Sequence, residues 1–209
     1  GVRSFLTALA IIVGTAAVIT VIGIGSSAEK ALEASIDDLG PRTLSIFPSQ
    51  RKRGGISSGF NPLVIKDAEA LAENKEHNWM IAPAMNGNRQ IKFRNSNISG
   101  NINGYLPINF KVRGFEIGQG RIFTEKENLG RKKVIIVGSK VPAELKTTAK
   151  QLLNNEILVA GTSYKVIGIL KEEGSTGWQN PDDDLYVPLL TASQRVFGTD
   201  RLGWINVGI

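Results

Sequence analysis

Three stretches of this 209-residue chain carry residue types that could do chemistry. The first is Asp182-Asp183-Asp184, three adjacent carboxylates that follow a Gly/Ser/Trp loop from Gly174 to Pro181. Hard cations such as Ca²⁺ take oxygen ligands of this kind. Consecutive residues point in different directions, however, and the EF-hand spacing is absent, so a solvated loop is expected. The second is Gly23-Ile24-Gly25-Ser26-Ser27-Ala28, which matches the G-x-G-x-x-A turn of dinucleotide sites. That turn needs a short strand before it and an acidic residue about 20 positions on. Here the apolar run before it is far too long for a strand, and the later region reads Thr43-Leu44-Ser45-Ile46-Phe47. The third is a pair of basic runs, Arg51-Lys52-Arg53 and Arg131-Lys132-Lys133, within a net charge of +6. Such runs can meet nucleic acid or anionic lipid. Neither has the interleaved aromatics on which bases stack, so solvated surface is expected and nucleic acid is not an expected partner.

Composition removes further classes. The chain has no Cys, which excludes disulfides, thiolate metal sites and Cys nucleophiles. Its single His, His77, argues against a His-based metal site or a Ser-His-Asp triad. No nucleophile–base pair is visible. The expectation is therefore no enzyme, with no catalytic, cofactor-binding or metal residue. Lys171-Glu172-Glu173 reads as ordinary surface. Trp178 either meets a partner or folds back on the core.

The elements that would position these residues begin with Phe5–Ile24, twenty residues without a charge, an Asn, a Gln or a Pro. As a helix this run rises roughly 30 Å, the thickness of a bilayer's hydrocarbon core. A helix apolar on every side rarely belongs to a soluble domain. A spanning helix is the favoured reading. The alternative is a cleaved secretion signal, with Arg3 as its charged end and Ser26-Ser27-Ala28 at the cleavage site. The run is longer than a signal core of roughly 7–15 residues. Orientation follows from Arg3 before the run and from one Lys against four carboxylates (Glu29, Lys30, Glu33, Asp37, Asp38) after it. Positive charge at a helix end stays in the cytoplasm, so the N-terminus is expected inside and the domain outside. Ala10, Gly14 and Ala17 share one helix side, where small residues admit a neighbouring helix.

Beyond the span, Ala28, Leu32, Ile36 and Leu39 extend an apolar stripe until Gly40-Pro41 stops it. The expected organisation is a transmembrane helix over 1–25, a helical stalk over 26–40 and an extracytoplasmic domain over 41–209, whose sequence stops inside a strand. Gly23-Ile24-Gly25 is a candidate soft joint, since Gly costs about 1 kcal/mol against Ala in a helix; ordinary interfacial glycines are the simpler reading. In the domain, 43–47 reads as a strand, 50–61 as a Gly/Ser/basic loop and 65–75 as a helix. Short runs at 79–85, 90–94 and 97–102 precede Asn86-Gly87, Asn95-Ser96 and Asn103-Gly104, which signal hairpin turns. Val134–Val137 reads as a strand buried on both faces. Residues 156–159 and 164–170 flank an Ala160-Gly161-Thr162-Ser163 turn. Leu185–Pro188 is a strand, and Thr191 is expected to cap a helix running to Phe197. The fold class is α+β, a mixed α/β domain with room for two subdomains.

Several of these landmarks, in order, resemble one family. Leu6-Thr7-Ala8-Leu9 with Ile11-Ile12-Val13-Gly14 is similar to L-T-x-L-G-I-I-I-G, with Ala10 in place of a Gly. Leu39-Gly40-Pro41-Arg42-Thr43-Leu44 resembles L-G-x-N-x-L, with Arg42 where Asn is usual. Lys66-Asp67-Ala68-Glu69-Ala70-Leu71 resembles the first domain helix. Gly120-Arg121-Ile122-Phe123-Thr124 matches G-R-x-F-T, and Val134–Gly138 resembles V-x-V-L-G. Tyr164–Leu170 resembles F-x-V-V-G-V-L. Tyr186-Val187-Pro188-Leu189 with Thr191 and Arg195 resembles Y-V-P-x-x-T-A-x-x-R. Together they resemble the MacB/FtsX-like ABC transporter permeases, specifically the first spanning helix and the MacB-like periplasmic core domain.

That resemblance implies a permease subunit fragment of an export or mechanotransmission complex in the inner membrane. Its periplasmic domain would couple a cytoplasmic ATPase to substrate extrusion or to partner proteins. The implied partners are an ABC ATPase subunit or domain, a second permease copy in a homodimer, a membrane fusion protein with an outer-membrane channel, and the lipid bilayer. ATP would bind the ATPase, since this chain carries no Walker motif and needs no cofactor of its own. A secreted periplasmic binding module with a cleaved signal peptide is the alternative.

Overall fold

Val134-Ile135-Ile136-Val137 is a run of β-branched residues with no polar position, so as a strand it needs apolar cover on both faces. The computed structural model, which describes residues 9, 14–16, 18–21, 43–53, 56–73, 79–174 and 180–208, gives it that cover. Strand β8 (Val134–Val137) has Ile135 and Val137 in one apolar core and Ile136 in another. The strands around it are β1 (Thr43–Ile46), β5 (Met80–Phe93), β6 (Ser96–Tyr105), β7 (Ile117–Gly120), β9 (Glu156–Val159), β10 (Thr162–Leu170), β11 (Leu185–Pro188) and β13 (Trp204–Gly208). They form a nine-stranded sheet of mixed direction. Two small pairings lie apart from it: β2 (Ser49–Arg53) with β3 (Ile56–Asn61), and β4 (Leu63–Val64) with β12 (Arg201–Leu202).

Six strands of the large sheet close on themselves. β8 pairs parallel with β10 and antiparallel with β11; β11 runs parallel to β6, and β6 is antiparallel to β5. β9 then pairs with both β10 and β5, completing the ring. Closure removes the exposed edges that a flat sheet would leave. Side chains of Ile91, Ile102, Val137, Val159, Val166 and Leu185 are buried in one continuous core. The last ladder is short. Ile91 faces Val159, Lys92 faces Leu158, and the Ala160 N–H donates to the Gln90 carbonyl at 2.9 Å.

β5 is long enough to share one edge between two neighbours. Met80–Ala84 pairs with β13, and Ile91–Lys92 with β9. β13 carries β1 on its far side, with Thr43 opposite Gly208 and Ile46 opposite Ile205. A side-chain bond reinforces that ladder, the Ser45 hydroxyl donating to Asn206 Oδ1 at 2.8 Å. Helices are short: α1 (Ile65–Glu73), α2 (Pro107–Arg113), α3 (Glu125–Leu129), α4 (Val141–Glu144), α5 (Ala149–Leu152) and α6 (Leu189–Thr191), which continues into a π-helical turn over Ala192–Phe197. A second core is aromatic. Tyr105, Phe110, Phe123 and Tyr186 meet there with ring centroids 5.1–6.0 Å apart, mostly edge to face, the arrangement that ring quadrupoles favour.

The chain divides into two compact units, Gly1–Gly40 and Pro41–Ile209. In the first, residues 9, 14–16 and 18–21 are helical, and the Thr20 hydroxyl donates to the Ala16 carbonyl at 2.7 Å. Leu9, Val18, Ile19 and Val21 are exposed apolar side chains. Among the described residues, no helix is long and apolar enough to cross a membrane. The rest of Phe5–Ile24, the Gly23-Ile24-Gly25 joint and the 26–40 stalk lie outside the described residues.

Some sequence expectations need correction. Within 50–61, expected as a loop, residues 50–53 and 56–61 are instead the paired antiparallel strands β2 and β3. Asn86-Gly87 and Asn103-Gly104 are not turns; both lie inside long strands, with Asn86 opposite Asn103. The turn comes once, at Arg94-Asn95, where Arg94 has φ 52°. Gly104 is required there by packing: a Cβ would stand 2.4 Å from Ala192 Cβ and 2.6 Å from Met85 Cγ. Thr191 is not a cap. It is buried inside the helical stretch, and its hydroxyl donates to the Lys132 carbonyl at 3.0 Å. The expected Ala160-Gly161 turn is present, with positive φ at both residues. Gly104→Ala is expected to lower unfolding stability by about 1–3 kcal/mol, the usual range for overpacking, read as a lower thermal midpoint with an unchanged far-ultraviolet spectrum.

Candidate functional site

The three carboxylates at 182–184 do point in three directions, but they are not a solvated loop. Asp182 has 0% of its surface exposed. Its carboxylate accepts from the Ser139 hydroxyl (2.8 Å) and from the N–H groups of Glu173 (3.0 Å) and Gly174 (3.1 Å), and Lys140 Nζ lies 3.5 Å away. Asp183 accepts from the Asn180 side-chain amide. Asp184 turns to β6, where Asn101 Nδ2 (3.1 Å) and Asn103 Nδ2 (2.9 Å) each donate to one of its oxygens. The backbone joins in, with Gly138 N–H donating to the Asp184 carbonyl (2.8 Å) and Lys140 N–H to that of Asp182 (3.0 Å). The triplet is thus a clamp. It ties the start of β11 to β6, to the end of β8 and to the loop after β10. Among the described residues, no group of three or more His, Cys, Asp or Glu side chains could hold a metal ion.

The electrostatics of the two outer carboxylates differ in sign. Burial pushes the Asp182 carboxyl up, but the Glu173 N–H, the Ser139 hydroxyl, the Gly174 N–H and the Lys140 ammonium together hold it below its usual range. For Asp184 burial prevails over the two Asn amides and Arg113, so its carboxyl sits above the usual range. Tyr105 and Tyr186 lie beside it, and burial drives the Tyr105 phenol to about 12.

A groove lies elsewhere, with a volume of about 220 Å³. Its floor is Ile81 and Pro83 of β5. Ile65, Ala68 and Ala72 of α1 form one wall, and Leu129 of α3 with Leu189 and Leu190 of α6 forms the other. Asn128 joins the two halves of that second wall: its Nδ2 donates to Glu125 Oε1 (2.9 Å) and its Oδ1 accepts from the Leu190 N–H (3.1 Å). Glu69 and Glu125 supply the charged lining, and both are exposed. Leu129 is 63% exposed, although it is a large apolar residue. The sequence reading missed this groove because its lining comes from four separate elements. The remaining candidates take simpler places. Arg131-Lys132-Lys133 are exposed on the turn before β8, and Arg51-Lys52-Arg53 form β2. Lys171 pairs with Glu116 at 2.7 Å on the surface, while the Glu173 backbone serves the clamp. His77 and Trp178 lie outside the described residues.

A family model described as MacB-like periplasmic core domain matches residues 4–208. The chain belongs to that family. It is the periplasmic type of domain found in ABC-type transporter permeases. Relatives of the MacB-like domain include the macrolide export ATP-binding/permease protein MacB of Bdellovibrio bacteriovorus, 29% identical over 211 residues, and that of Chlorobaculum tepidum, 30% identical over 211 residues. Each alignment takes in 100% of this chain but 32% of the relative, so the chain spans about a third of these proteins. The fold is shared with the periplasmic region of MacB from Actinobacillus actinomycetemcomitans, at a TM-score of 0.67 and 22% identity over 83% of this chain and 77% of that one. It is shared also with the extracellular domain of the noncanonic ABC-type transporter YknZ from Gram-positive bacteria, at a TM-score of 0.63 and 18% identity over 79% and 82%.

One motif of this MacB-like domain, Gly120–Thr124, proves to be a joint. In Gly120-Arg121-Ile122-Phe123-Thr124, Gly120 has φ 85°, and a Cβ there would stand 2.2 Å from the Ile167 carbonyl oxygen. Arg121 forks onto Glu127, with Nη2–Oε1 at 2.7 Å and Nη1–Oε2 at 2.8 Å. The guanidinium is the main reason that the Glu127 carboxyl falls to about 2. Phe123 fills the aromatic core. Thr124 and Glu127 form a reciprocal capping box on α3, a device worth about 1 kcal/mol.

The clamp predicts opposite responses to pH. Asp184 titrates higher folded than unfolded (about 3.9 unfolded), so its contribution to stability grows as pH falls through the folded value and is complete below the unfolded one. Asp184→Asn is expected to abolish that part of the pH dependence. Asp182 titrates lower folded than unfolded, so its contribution is present above about pH 4 and is lost below it. Asp182→Ala is expected to cost about 3 kcal/mol at pH 7. Chemical denaturation from pH 3 to 8 checks both, and an Asp184→Asn variant that keeps the parent's full pH dependence would contradict the reading.

Proposed function

We propose that the chain is the first membrane helix and extracytoplasmic domain of a permease in an ABC-type export or mechanotransmission complex. Residues 1–25 span the inner membrane with the N-terminus in the cytoplasm, residues 26–40 form the stalk, and residues 41–209 work on the far side. The family match carries this reading: it begins at residue 4, just before the apolar stretch, and runs through both that stretch and the domain. The exposed apolar helical residues Leu9, Val18, Ile19 and Val21 support it. ATP is hydrolysed on an ATPase subunit or domain, in keeping with relatives whose names join ATP-binding to permease. This chain contributes no catalysis and no cofactor site. A second permease copy completes the assembly, and a membrane fusion protein with an outer-membrane channel are its outer partners. Macrolides, named for the relatives, are the first cargo to assay.

The β1–β13 ladder supports a mechanical role. Thr43 follows directly on the segment proposed as stalk, and it lies opposite Gly208 in a ladder whose other side is β5. A displacement along β1 loads several hydrogen bonds together and so reaches the core strand rather than peeling one contact at a time.

Because the chain lacks Cys, single cysteines are clean probes. With the outer membrane permeabilised, Lys150→Cys is expected to react with a membrane-impermeant maleimide, while Leu9→Cys reacts only after detergent. Labelling of Lys150→Cys solely after lysis would place the domain in the cytoplasm. Release of the protein by alkaline carbonate would favour a secreted module.

A further inference from the structure

We infer that the groove between α1, α3 and α6 is a docking pocket for a partner protein, and that it receives one or two apolar side chains flanked by Lys or Arg. Size selects the class of occupant. At about 220 Å³ the groove is smaller than the roughly 300–1,000 Å³ of pockets that enclose drug-sized ligands. It suits a Leu or Phe anchor, the kind of residue on which protein interfaces concentrate their binding energy.

Charge selects the anchor's neighbours. The chain as a whole is basic, at +6, yet the charged residues lining the groove are two carboxylates, Glu69 and Glu125, with no Lys or Arg. Among the described residues the Glu69 side chain has no hydrogen bond or ion pair, and Asn128 engages one oxygen of Glu125. A cation next to the anchor would therefore find unspent acceptors, and a segment with acidic neighbours would be repelled.

The walls are built to hold. Asn128, itself buried, fixes α3 to α6. Thr191 fixes α6 to the turn after α3. Asn109 Nδ2 donates to the Pro83 carbonyl at 2.9 Å beneath the floor. Ala68 and Ala72 keep the α1 wall low, and Leu129 offers an apolar lip at the surface. A preformed pocket loses little conformational freedom on binding. The pocket deepens the transporter reading and rests on it for the extracytoplasmic setting of the partner.

The test places the photo-crosslinking residue benzoylphenylalanine at position 129, the exposed apolar lip of the pocket, in the full-length protein, expressed with its ATPase in its own membrane. Crosslinked peptides are identified by mass spectrometry, and ATP-dependent efflux is scored in the same cells, so failure of docking and failure of transport are separate readouts. The expected product is one extracytoplasmic protein segment with Leu or Phe beside Lys or Arg. Glu69→Lys with Glu125→Lys is expected to cut its yield by ~10-fold or more. Reversing the partner's cation to Glu in that background should restore it, which a merely misfolded domain would not allow. Crosslinking to lipid, to a drug-sized molecule or to a second copy of this chain would overturn the inference. So would the absence of any product, or a yield indifferent to these charges.

Discussion

Two residue pairs, Ile91 opposite Val159 and Lys92 opposite Leu158, close the ring of six strands. The rest of the domain depends on that seam. Without it β5, β6, β11, β8, β10 and β9 would be an open curled sheet with β9 at a free edge. With it, the inward side chains of all six strands share one core, and each of the six has a paired strand on both sides. The seam is possible because β5 is long: its first residues serve β13 and its last serve β9, while its other edge is occupied by β6.

The same strand joins structure to the proposed role. β1 pairs with β13, β13 with β5, and β5 supplies the floor of the acidic groove. The carboxylate clamp holds the opposite side of the ring, fastening β11 to β6 and β8 through groups that burial makes costly to leave unpaired. A body closed in this way moves as one piece. The function we propose asks for that property: a domain that reports the displacement of a membrane helix must shift without dissipating the motion internally.

Much of the fold could be read from local residue patterns. The β8 strand is announced by four consecutive β-branched residues and the β9–β10 hairpin by Ala160-Gly161. Each depends on neighbours within a few positions. What could not be read depends on distant partners. Asn86-Gly87 and Asn103-Gly104 carry the residues of hairpin turns, yet Gly104 is there because Ala192 and Met85 crowd the strand. Three adjacent Asp residues look like a solvated loop until Ser139 arrives from the bend after β8 and Asn101 and Asn103 from β6. The groove was invisible for the same reason, being assembled from side chains spread between Ile65 and Leu190. The ordered motifs nevertheless identified the family, and Gly120–Thr124 among them marks a place where the chain must turn, cap a helix and bury an aromatic ring.

The central claim is that the ring works closed. The most direct measurement is a disulfide across its seam, made by Lys92→Cys with Leu158→Cys in a full-length protein free of other cysteines and assembled with its ATPase. Facing residues on paired strands lie close enough for such a bond. If the ring works closed, the oxidised seam leaves ATP-driven efflux and ATP hydrolysis at the level of the reduced protein. Loss of efflux on oxidation, restored by reduction, would contradict it and show that the ring must open to work.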